Sequence, residues 1–291
     1  MSFLSKLNET QEFATLPKVA SKILQLLEDE NIDIRELAKL IESDVSLTLK
    51  ILKVSNSPLF ATKTEITSIT QAIATLGLNR LTNIVLGISI FSRFLLFTHK
   101  ETQKLIKEFW WHSSCTAIVS KTLAKKISSN FKEIEFLGGL LHEIGKLAMI
   151  QLEPTQYFKV LDLVINKGMM DVDAEKEIFG ITHLEVGSFI ADNWKLPKNI
   201  KSIIENHNYP DRLTEFQDLV AIVRFSDILC EIWDAGIYEG FKIVSLYDEV
   251  SWKILTEFHP DLKDLDIEVF TFELEQDYKS SKEFLNLISK D

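Results

Sequence analysis

Apolar residues recur at spacings of three and four along most of the chain, which is the pattern of one face of an α-helix. In LPKVASKILQLLEDE, for example, the repeat consists of Val19, Ile23, Leu26 and Leu27. Further stretches with this spacing begin near residues 33, 44, 66, 81, 104, 133, 155, 183, 200 and 218. No stretch longer than a few residues alternates apolar and polar positions, so the pattern predicts an all-α fold without a significant sheet.

Polar residues and helix breakers mark several ends of these predicted helices. Asp33 and Asp44 stand where an aspartate caps a helix N-terminus, and Gly77 stands where a glycine ends a helix. The stretch EIEFLGGLLHEIGKLAMIQL, in contrast, is predicted to be one continuous helix. Only six prolines and ten glycines occur in 291 residues, which favours long helices over many tight turns.

Charge rises near residue 100, after the very apolar window of residues 81–98, and divides the chain into two predicted parts. Residues 1–100 are expected to form an N-terminal helical bundle, and residues 101–291 a second helical domain that ends in acidic helices after Asp248. The first part has more apolar surface than a bundle of its size needs. We therefore expect a large fixed interface between the two parts.

The chain is acidic, with a net charge of −11, and the charge is uneven. Residues 1–100 hold 11 basic and 10 acidic residues, whereas residues 101–291 hold 21 and 33. Nucleic acids and anionic membranes need a basic footprint, so this composition predicts neither as a partner. A small phosphate-containing ligand in a buried basic pocket is compatible with it.

Several features predict a cytoplasmic protein. The two cysteines have no framework spacing, as in proteins of a reducing compartment. The first residues, MSFLSKLNETQEF, contain no apolar core of a secretory signal. The apolar window of residues 81–98 includes Asn83 and Arg93, which fits a buried helix better than a membrane span.

The stretch LLHEIGKLA places His142, Glu143 and Lys146 in an otherwise apolar run. Burying such groups is costly unless they are paired, hydrogen-bonded or bound to a metal. Neighbours on a helix project about 100° apart, so His142 and Glu143 can both face one ion in a groove. Lys146 would either hold an anionic ligand near that ion or pair with Glu143. Gly139 and Gly145 would let other helices approach closely.

Four further residues of the same kinds stand at the starts, middles or ends of predicted helices: His112, His183, His207 and Asp227. Each also has an ordinary structural interpretation. His112 would be a core histidine, and Asp227 a paired or capping acid. His183 would start a helix, and His207 would end one and interact with its dipole. A pocket where helices meet could collect all of these side chains.

The order His112, His142–Glu143, Asp227 resembles the H…HD…D signature of HD-domain metal phosphohydrolases, with HEIGK where HDIGK is usual. His183 and His207 match two further histidine positions that HD-GYP-type phosphodiesterases use for a second metal. These likenesses imply that the six residues form or descend from a metal site.

The N-terminal half resembles a narrower family, the HDOD domain of bacterial signalling proteins. The motifs that carry this resemblance are the LP opening, IESD at residues 41–44, the NS pair at residues 56–57 and QAIATLG at residues 71–77. The resemblance covers residues 12–235 of the chain. It implies a helical bundle packed against an HD-like helical domain.

Glu143 departs from the HD pattern, because active HD enzymes have an aspartate there that binds or bridges metal. Its extra methylene would move the carboxylate by more than about 1 Å, whereas metal sites tolerate only about 0.2 Å in ligand distance. The GYP loop is also missing, since Asn208, Tyr209 and Pro210 follow His207 directly. We therefore expect at most a single divalent ion, Fe, Mn or Zn.

HDOD modules are regarded as signalling or regulatory, so the resemblance implies a bacterial cytoplasmic regulatory module. It would act through partner proteins in trans or a small ligand at a degenerate HD pocket. The alternative is a metal-dependent phosphohydrolase acting on nucleotides or cyclic dinucleotides. In that alternative, His112, His142, Glu143 and Asp227 would hold an ion that activates water, and Lys146 would steady the phosphate.

Overall fold

The computed structural model of the chain describes residues 2–10, 13, 15–27, 33–57, 64–95, 102–240 and 245–278. Within these ranges the chain is helical and contains no strand, so the predicted all-α fold is confirmed. The first six helices are α1 Phe3–Glu9, α2 Lys18–Leu27, α3 Ile34–Glu42, α4 Val45–Ser55, α5 Ile69–Leu76 and α6 Leu78–Leu95. The helices of the second half are α7 Gln103–Lys126, α8 Ile134–Leu141, α9 Ile144–Leu152, α10 Pro154–Lys167, α11 Asp171–Phe179, α12 His183–Asn193, α13 Lys198–Asn206, α14 Gln217–Ile232, α15 Val250–Phe258 and α16 Ile267–Tyr278.

Several predicted helix boundaries are confirmed. The side chain of Asp33 accepts a hydrogen bond from the N–H of Arg35 at the start of α3, and Asp44 accepts one from Leu47 in α4. Gly77 ends α5 with a φ of +86°, in the region that favours glycine. These boundaries were readable because single residues with distinctive chemistry determine them.

The stretch predicted as one helix after residue 133 is instead two helices, α8 and α9, with His142 and Glu143 at the break. The first turn of α9 lies against the start of α12. A Cβ added at Gly145 would lie 1.9 Å from the carbonyl oxygen of His183, so only glycine permits this approach. The sequence pattern could not show the break, because residues on both sides of it are buried.

One hydrophobic cluster joins the two halves of the chain. The rings of Phe91 and Trp110 lie 4.5 Å apart, and Trp194 Nε1 donates a hydrogen bond of 2.8 Å to the carbonyl of Phe13. These contacts join residues on either side of residue 100, and they bury apolar surface of the first part that its own helices do not cover. The division into domains at that residue stays a prediction, but the two parts share one core.

Helix α6, which contains most of the apolar window, is buried in the protein along residues 81–91. The side-chain amide of Asn83 donates a hydrogen bond of 3.0 Å to the carbonyl of Lys132, and Arg80 forms an ion pair of 2.7 Å with Glu133. Across the ranges that the structure describes, no helix has the length and apolar character that a bilayer span requires.

A second cluster packs α15 and α16 against α7 and α14. Trp252 and Phe270 belong to it, and so do the buried thiols of Cys115 and Cys230. The predicted acidic C-terminal helices therefore each bury one face.

Candidate metal centre

Three side chains from different helices converge on one point in the second half. His112 lies in the middle of α7, His142 directly follows α8, and Asp227 lies in α14. His112 Nε2 is 3.2 Å from His142 Nε2 and 3.0 Å from Asp227 Oδ1. His142 Nε2 is 3.4 Å from the same oxygen. All three residues are 0% exposed, so the trio is closed to solvent.

The hydrogen bonds of the two Nδ1 atoms determine which nitrogen of each imidazole carries the hydrogen. His112 Nδ1 is 2.8 Å from the carbonyl oxygen of Ala235, and His142 Nδ1 is 2.8 Å from that of Gly139. A carbonyl oxygen only accepts hydrogen bonds, so each Nδ1 carries the hydrogen and, in a neutral ring, each Nε2 presents a lone pair. Two lone pairs and a carboxylate oxygen thus face one another. This arrangement needs a cation, either a metal ion or an additional proton.

His183 and His207 have the same orientation. His183 Nδ1 is 2.7 Å from Glu175 Oε2, and His207 Nδ1 is 3.2 Å from the carbonyl oxygen of Ile203. Their Nε2 atoms have no hydrogen-bond partner among the described residues. They lie 3.4 and 3.7 Å from the carboxylate oxygens of Glu143. Both are helix-terminal residues, as the structural interpretation predicted, and both also face the centre.

The four imidazoles form one row, with Asp227 at one end and Glu143 near the other. Neighbouring ring centroids are 5.2, 4.9 and 5.4 Å apart in the order His112, His142, His207, His183. Three overlapping groups in this row are compact enough to surround one ion: His112–His142–Asp227, His142–Glu143–His207 and Glu143–Asp171–His183. Glu143 does not join the first group, so three of the four expected ligands share one point.

Lys146 lies between two buried carboxylates. Its Nζ is 2.5 Å from Glu143 Oε1 and 2.6 Å from Asp171 Oδ2, and its side chain is 0% exposed. Of the two alternatives for Lys146, this geometry is that of the pair with Glu143. The ammonium already supplies positive charge at this end of the row, where a second ion would otherwise lie.

Sequence reasoning missed Asp171 and Glu175, because it did not predict the helix α11 that carries them. Both lie on the buried face of α11, together with Ala174. Glu175 Oε2 accepts hydrogen bonds from the ring and the backbone N–H of His183, both at 2.7 Å. The spacing of four residues between the acids, with an apolar residue on the same face, was the available signal.

Arg224 and Glu239 complete the other end of the row and were also missed. Arg224 Nη1 donates hydrogen bonds to Asp227 Oδ2 at 2.6 Å and to Glu239 Oε2 at 2.8 Å. Asp227 Oδ1 is thereby left to the two histidines. Arg224 precedes Asp227 by three residues, a spacing that the sequence shows. Glu239 follows α14 in a segment without helical periodicity, which gave no signal.

Residues 235–240 cover the centre and are referred to here as the closing segment. The carbonyl of Ala235 accepts the hydrogen bond of His112, and the carbonyl of Glu239 accepts one of 3.1 Å from the N–H of Asp171. Ala235, Ile237 and Glu239 are at most 4% exposed. The chain's own backbone therefore separates the trio from solvent.

The environment of Asp227 keeps this acid ionised. Burial alone would raise the pKa of Asp227, but His142, His112 and Arg224 outweigh burial and hold the pKa well below its usual range. Burial would likewise lower the pKa of His112, yet the hydrogen bond and charge of Asp227 raise it above the ordinary value. The raised pKa of His112 reflects the carboxylates around it, whereas the lowered pKa of Asp227 reflects the histidines and the arginine that it contacts.

At the other end of the row, Glu143 is likewise kept ionised, and His207 is kept neutral. Burial opposes the ionisation of Glu143, but the charges of His183 and Lys146 keep the pKa of Glu143 well below its usual range. Burial lowers the pKa of His207 to about 4, so its ring is neutral near pH 7. A neutral imidazole is the form that ligates metal.

A divalent ion fits the trio by distance and by charge. Bonds of about 2.0–2.1 Å in a tetrahedral zinc site place the ligand atoms about 3.3–3.4 Å apart, and the separations here are 3.0, 3.2 and 3.4 Å. The buried carboxylates of the centre are Glu143, Asp171, Glu175, Asp227 and Glu239, and its buried cations are Lys146 and Arg224. Burial raises the pKa of Glu175 and of Glu239 and so disfavours their ionised forms, whereas Glu143 and Asp227 stay ionised. Ionised carboxylates beside imidazole lone pairs in a dry interior favour a bound cation. The cluster is thus compatible with a metal site.

Comparison with known proteins gives the same family as the sequence motifs. A family model described as the HDOD domain matches residues 13–210, which is more than half of the chain. An uncharacterized protein of Treponema pallidum (strain Nichols) is 24% identical over 224 residues, which cover 75% of this chain and 43% of that protein. The chain therefore spans less than half the length of this curated relative.

Solved structures share the fold over most of the chain. An HDOD domain protein of unknown function from Geobacter sulfurreducens has a TM-score of 0.77 and 25% identity, over 92% of both chains. A candidate phosphohydrolase from Shewanella amazonensis SB2B has a TM-score of 0.75 and 21% identity, over 99% of this chain and 98% of that one. A candidate signal transduction protein from Marinobacter aquaeolei VT8 has a TM-score of 0.70 and 18% identity, over 94% and 59%. The recognition from the motifs is confirmed: this chain belongs to the HDOD domain family, which is related to the HD superfamily.

Proposed function

We propose that this chain is a cytoplasmic signal-transduction module that binds partner proteins, and that its HD-derived centre holds one divalent ion in a structural role. The observation that carries the metal proposal is the orientation of the histidines. All four Nδ1 atoms contact oxygen acceptors and all four Nε2 atoms face inward. Such outer contacts are the usual way in which proteins orient metal-ligating histidines.

The ligands of this ion would be His112, His142 and Asp227, and the ion would be Fe, Mn or Zn. Bound there, it would supply the positive charge that the two lone pairs and the carboxylate require. The three residues come from separate parts of the fold, so the site would tie α7, the α8–α9 break and α14 together. The signalling role rests on membership of the HDOD family, whose modules are regarded as regulatory.

A structural role is favoured over a catalytic one by the closure of the centre. The trio is 0% exposed, and Lys146 is buried between carboxylates, so no group of the row is positioned to contact a phosphate outside. One observation favours the alternative of a metal-dependent phosphohydrolase, which is that the His112–His142–Asp227 part of the HD signature is spatially intact. Nucleic acid and membrane remain outside the proposal because of the acidic charge.

Thermal unfolding with and without chelator, paired with turnover of a phosphodiester panel under Mn and Fe, tests this function. We expect chelation to lower the melting temperature by several degrees and the panel to remain uncleaved. His259→Ala is the matched control, because this histidine lies outside the centre and contacts Ser129. Turnover that His142→Ala abolishes and His259→Ala preserves would establish the enzyme instead. Activity gained only in Glu143→Asp would identify the extra methylene as the cause of its loss.

A further inference from the structure

The C-terminal helix α16 carries two apolar stripes on nearly opposite sides. Ile267, Phe270 and Leu274 form the first and are buried in the second core cluster. Val269 and Phe272 form the second, and they are 58% and 63% exposed. At about 100° per residue, the centres of the two stripes point about 160° apart. One stripe is therefore sufficient to attach α16 to the protein, and the other is not used for that purpose.

Acidic side chains border the exposed stripe on both sides. Glu268 and Glu273 project about 70° to either side of its centre, and both are exposed; Glu273 also pairs with Lys126 at 2.6 Å. Leu265, which precedes the helix, is also 43% exposed. Residues 257–275 contain seven acidic residues and one lysine, so the surroundings of the stripe are strongly negative.

The C-terminal region is also where exposed apolar side chains concentrate. Of the fourteen large hydrophobic side chains that are exposed in the described part of the chain, six lie within residues 247–272. Single exposed apolar residues are ordinary on protein surfaces. A stripe with helical spacing is a different feature, because it matches the surface that a second helix packs against.

We propose that the exposed stripe of α16 is the docking site for an amphipathic helix of a partner protein, with lysine or arginine beside its apolar residues. Apolar residues of the two helices would pack along the seam, and the flanking charges would pair across it. Charge also argues against a second copy of this chain, since Glu268 and Glu273 would then face their own counterparts. The inference rests on the proposed function as a protein-binding module and names the class of partner.

The test uses the full chain and two synthetic helical peptides of roughly 18 residues, a length sufficient for a marginally stable helix. One peptide has a leucine stripe flanked by lysines, and the other has glutamate at every lysine position. Fluorescence anisotropy measures their binding to the parent and to Val269→Ser/Phe272→Ser. The matched control is Phe158→Ser/Ile165→Ser, which removes side chains of α10 that are 43% and 57% exposed.

We expect the lysine peptide to bind the parent and the control variant with equal affinity. Its affinity for Val269→Ser/Phe272→Ser should be about 10-fold lower. Its affinity for the parent should fall as the salt concentration rises. Equal loss in both double variants, or equal binding of the two peptides, would overturn the proposal. It would also be overturned by a dimer that Val269→Ser/Phe272→Ser dissociates. Tighter peptide binding by a chain ending at Tyr278 would overturn it as well, since later residues would then occupy the stripe. If the peptides fail to bind while chelation still lowers stability, only this inference is rejected.

Discussion

Arg224 Nη1 lies 2.6 Å from Asp227 Oδ2, so the guanidinium occupies one carboxylate oxygen and leaves the other to the histidines of the trio. The same nitrogen contacts Glu239 at 2.8 Å in the closing segment. One side chain therefore orients the acid of the trio and also fixes the segment that covers it. This link explains why the centre is both preformed and closed.

Arg224→Met should destabilise the protein by about 3–5 kcal/mol, because it leaves two buried carboxylates without their cation. Urea unfolding measures this loss. Arg80→Met is the matched control, since it removes a pair with Glu133 in which the arginine side chain is 35% exposed. That pair should contribute about 1 kcal/mol or less. Similar losses in the two variants would contradict the role assigned to Arg224.

Glu135 should make stability fall as pH rises. Burial raises its pKa to about 7 from 4.5 in the unfolded chain. The folded state therefore resists ionisation of this acid, and stability is lost between pH 4.5 and 7, by about 3 kcal/mol in full. Glu135→Gln should flatten the dependence in thermal melts between pH 5 and 8, whereas Glu205→Gln, at an exposed position, should not. An unchanged slope in Glu135→Gln would show that Glu135 ionises freely.

Gly145→Ala should cost about 3 kcal/mol, because the new Cβ would meet the carbonyl oxygen of His183 at 1.9 Å and force α9 and α12 apart. Gly180→Ala provides the comparison. There an added Cβ meets nothing, and only the φ of +71° is unfavourable, at about 1–2 kcal/mol. Thermal melts of both variants measure the difference. Equal shifts would mean that the close approach at Gly145 has no particular importance.

Residues 1–100 expressed alone should be poorly soluble or molten. In the whole chain Phe91 packs on Trp110, and Phe94 stacks with Trp194 at a centroid distance of 6.1 Å. Without these partners, the apolar surface of α6 faces water. Circular dichroism melts and size-exclusion chromatography compare this fragment with residues 1–278. A monomeric fragment that unfolds cooperatively would show that the N-terminal part is an independent domain.

The helices could be predicted from the sequence more completely than the residues that surround the metal centre. Apolar periodicity and single capping residues such as Asp44 are local signals, and they predicted most elements correctly. The break at His142 and Glu143 is caused by packing against another helix. The apolar periodicity continues through it and therefore predicted one helix. His112 and Asp227 were identified through their order along the chain.

The carboxylates that surround the row were harder to identify. Asp171 and Glu175 were not identified because the helix that carries them, α11, was not predicted. Its sequence, DVDAEKEIF, is rich in acidic residues and has only a short apolar face. Glu239 lies outside any helix and is placed by Arg224, a contact that spans 15 residues. Long-range ion pairs of this kind leave no pattern in a single sequence.

The metal content of the full chain, purified without chelator, tests the central claim most directly. Elemental analysis should find about one Fe, Mn or Zn ion per chain, as expected for a single trio of ligands. The content should fall close to zero in Asp227→Asn and remain unchanged in His259→Ala. A parent protein without metal, or a metal content that Asp227→Asn does not reduce, would contradict the account.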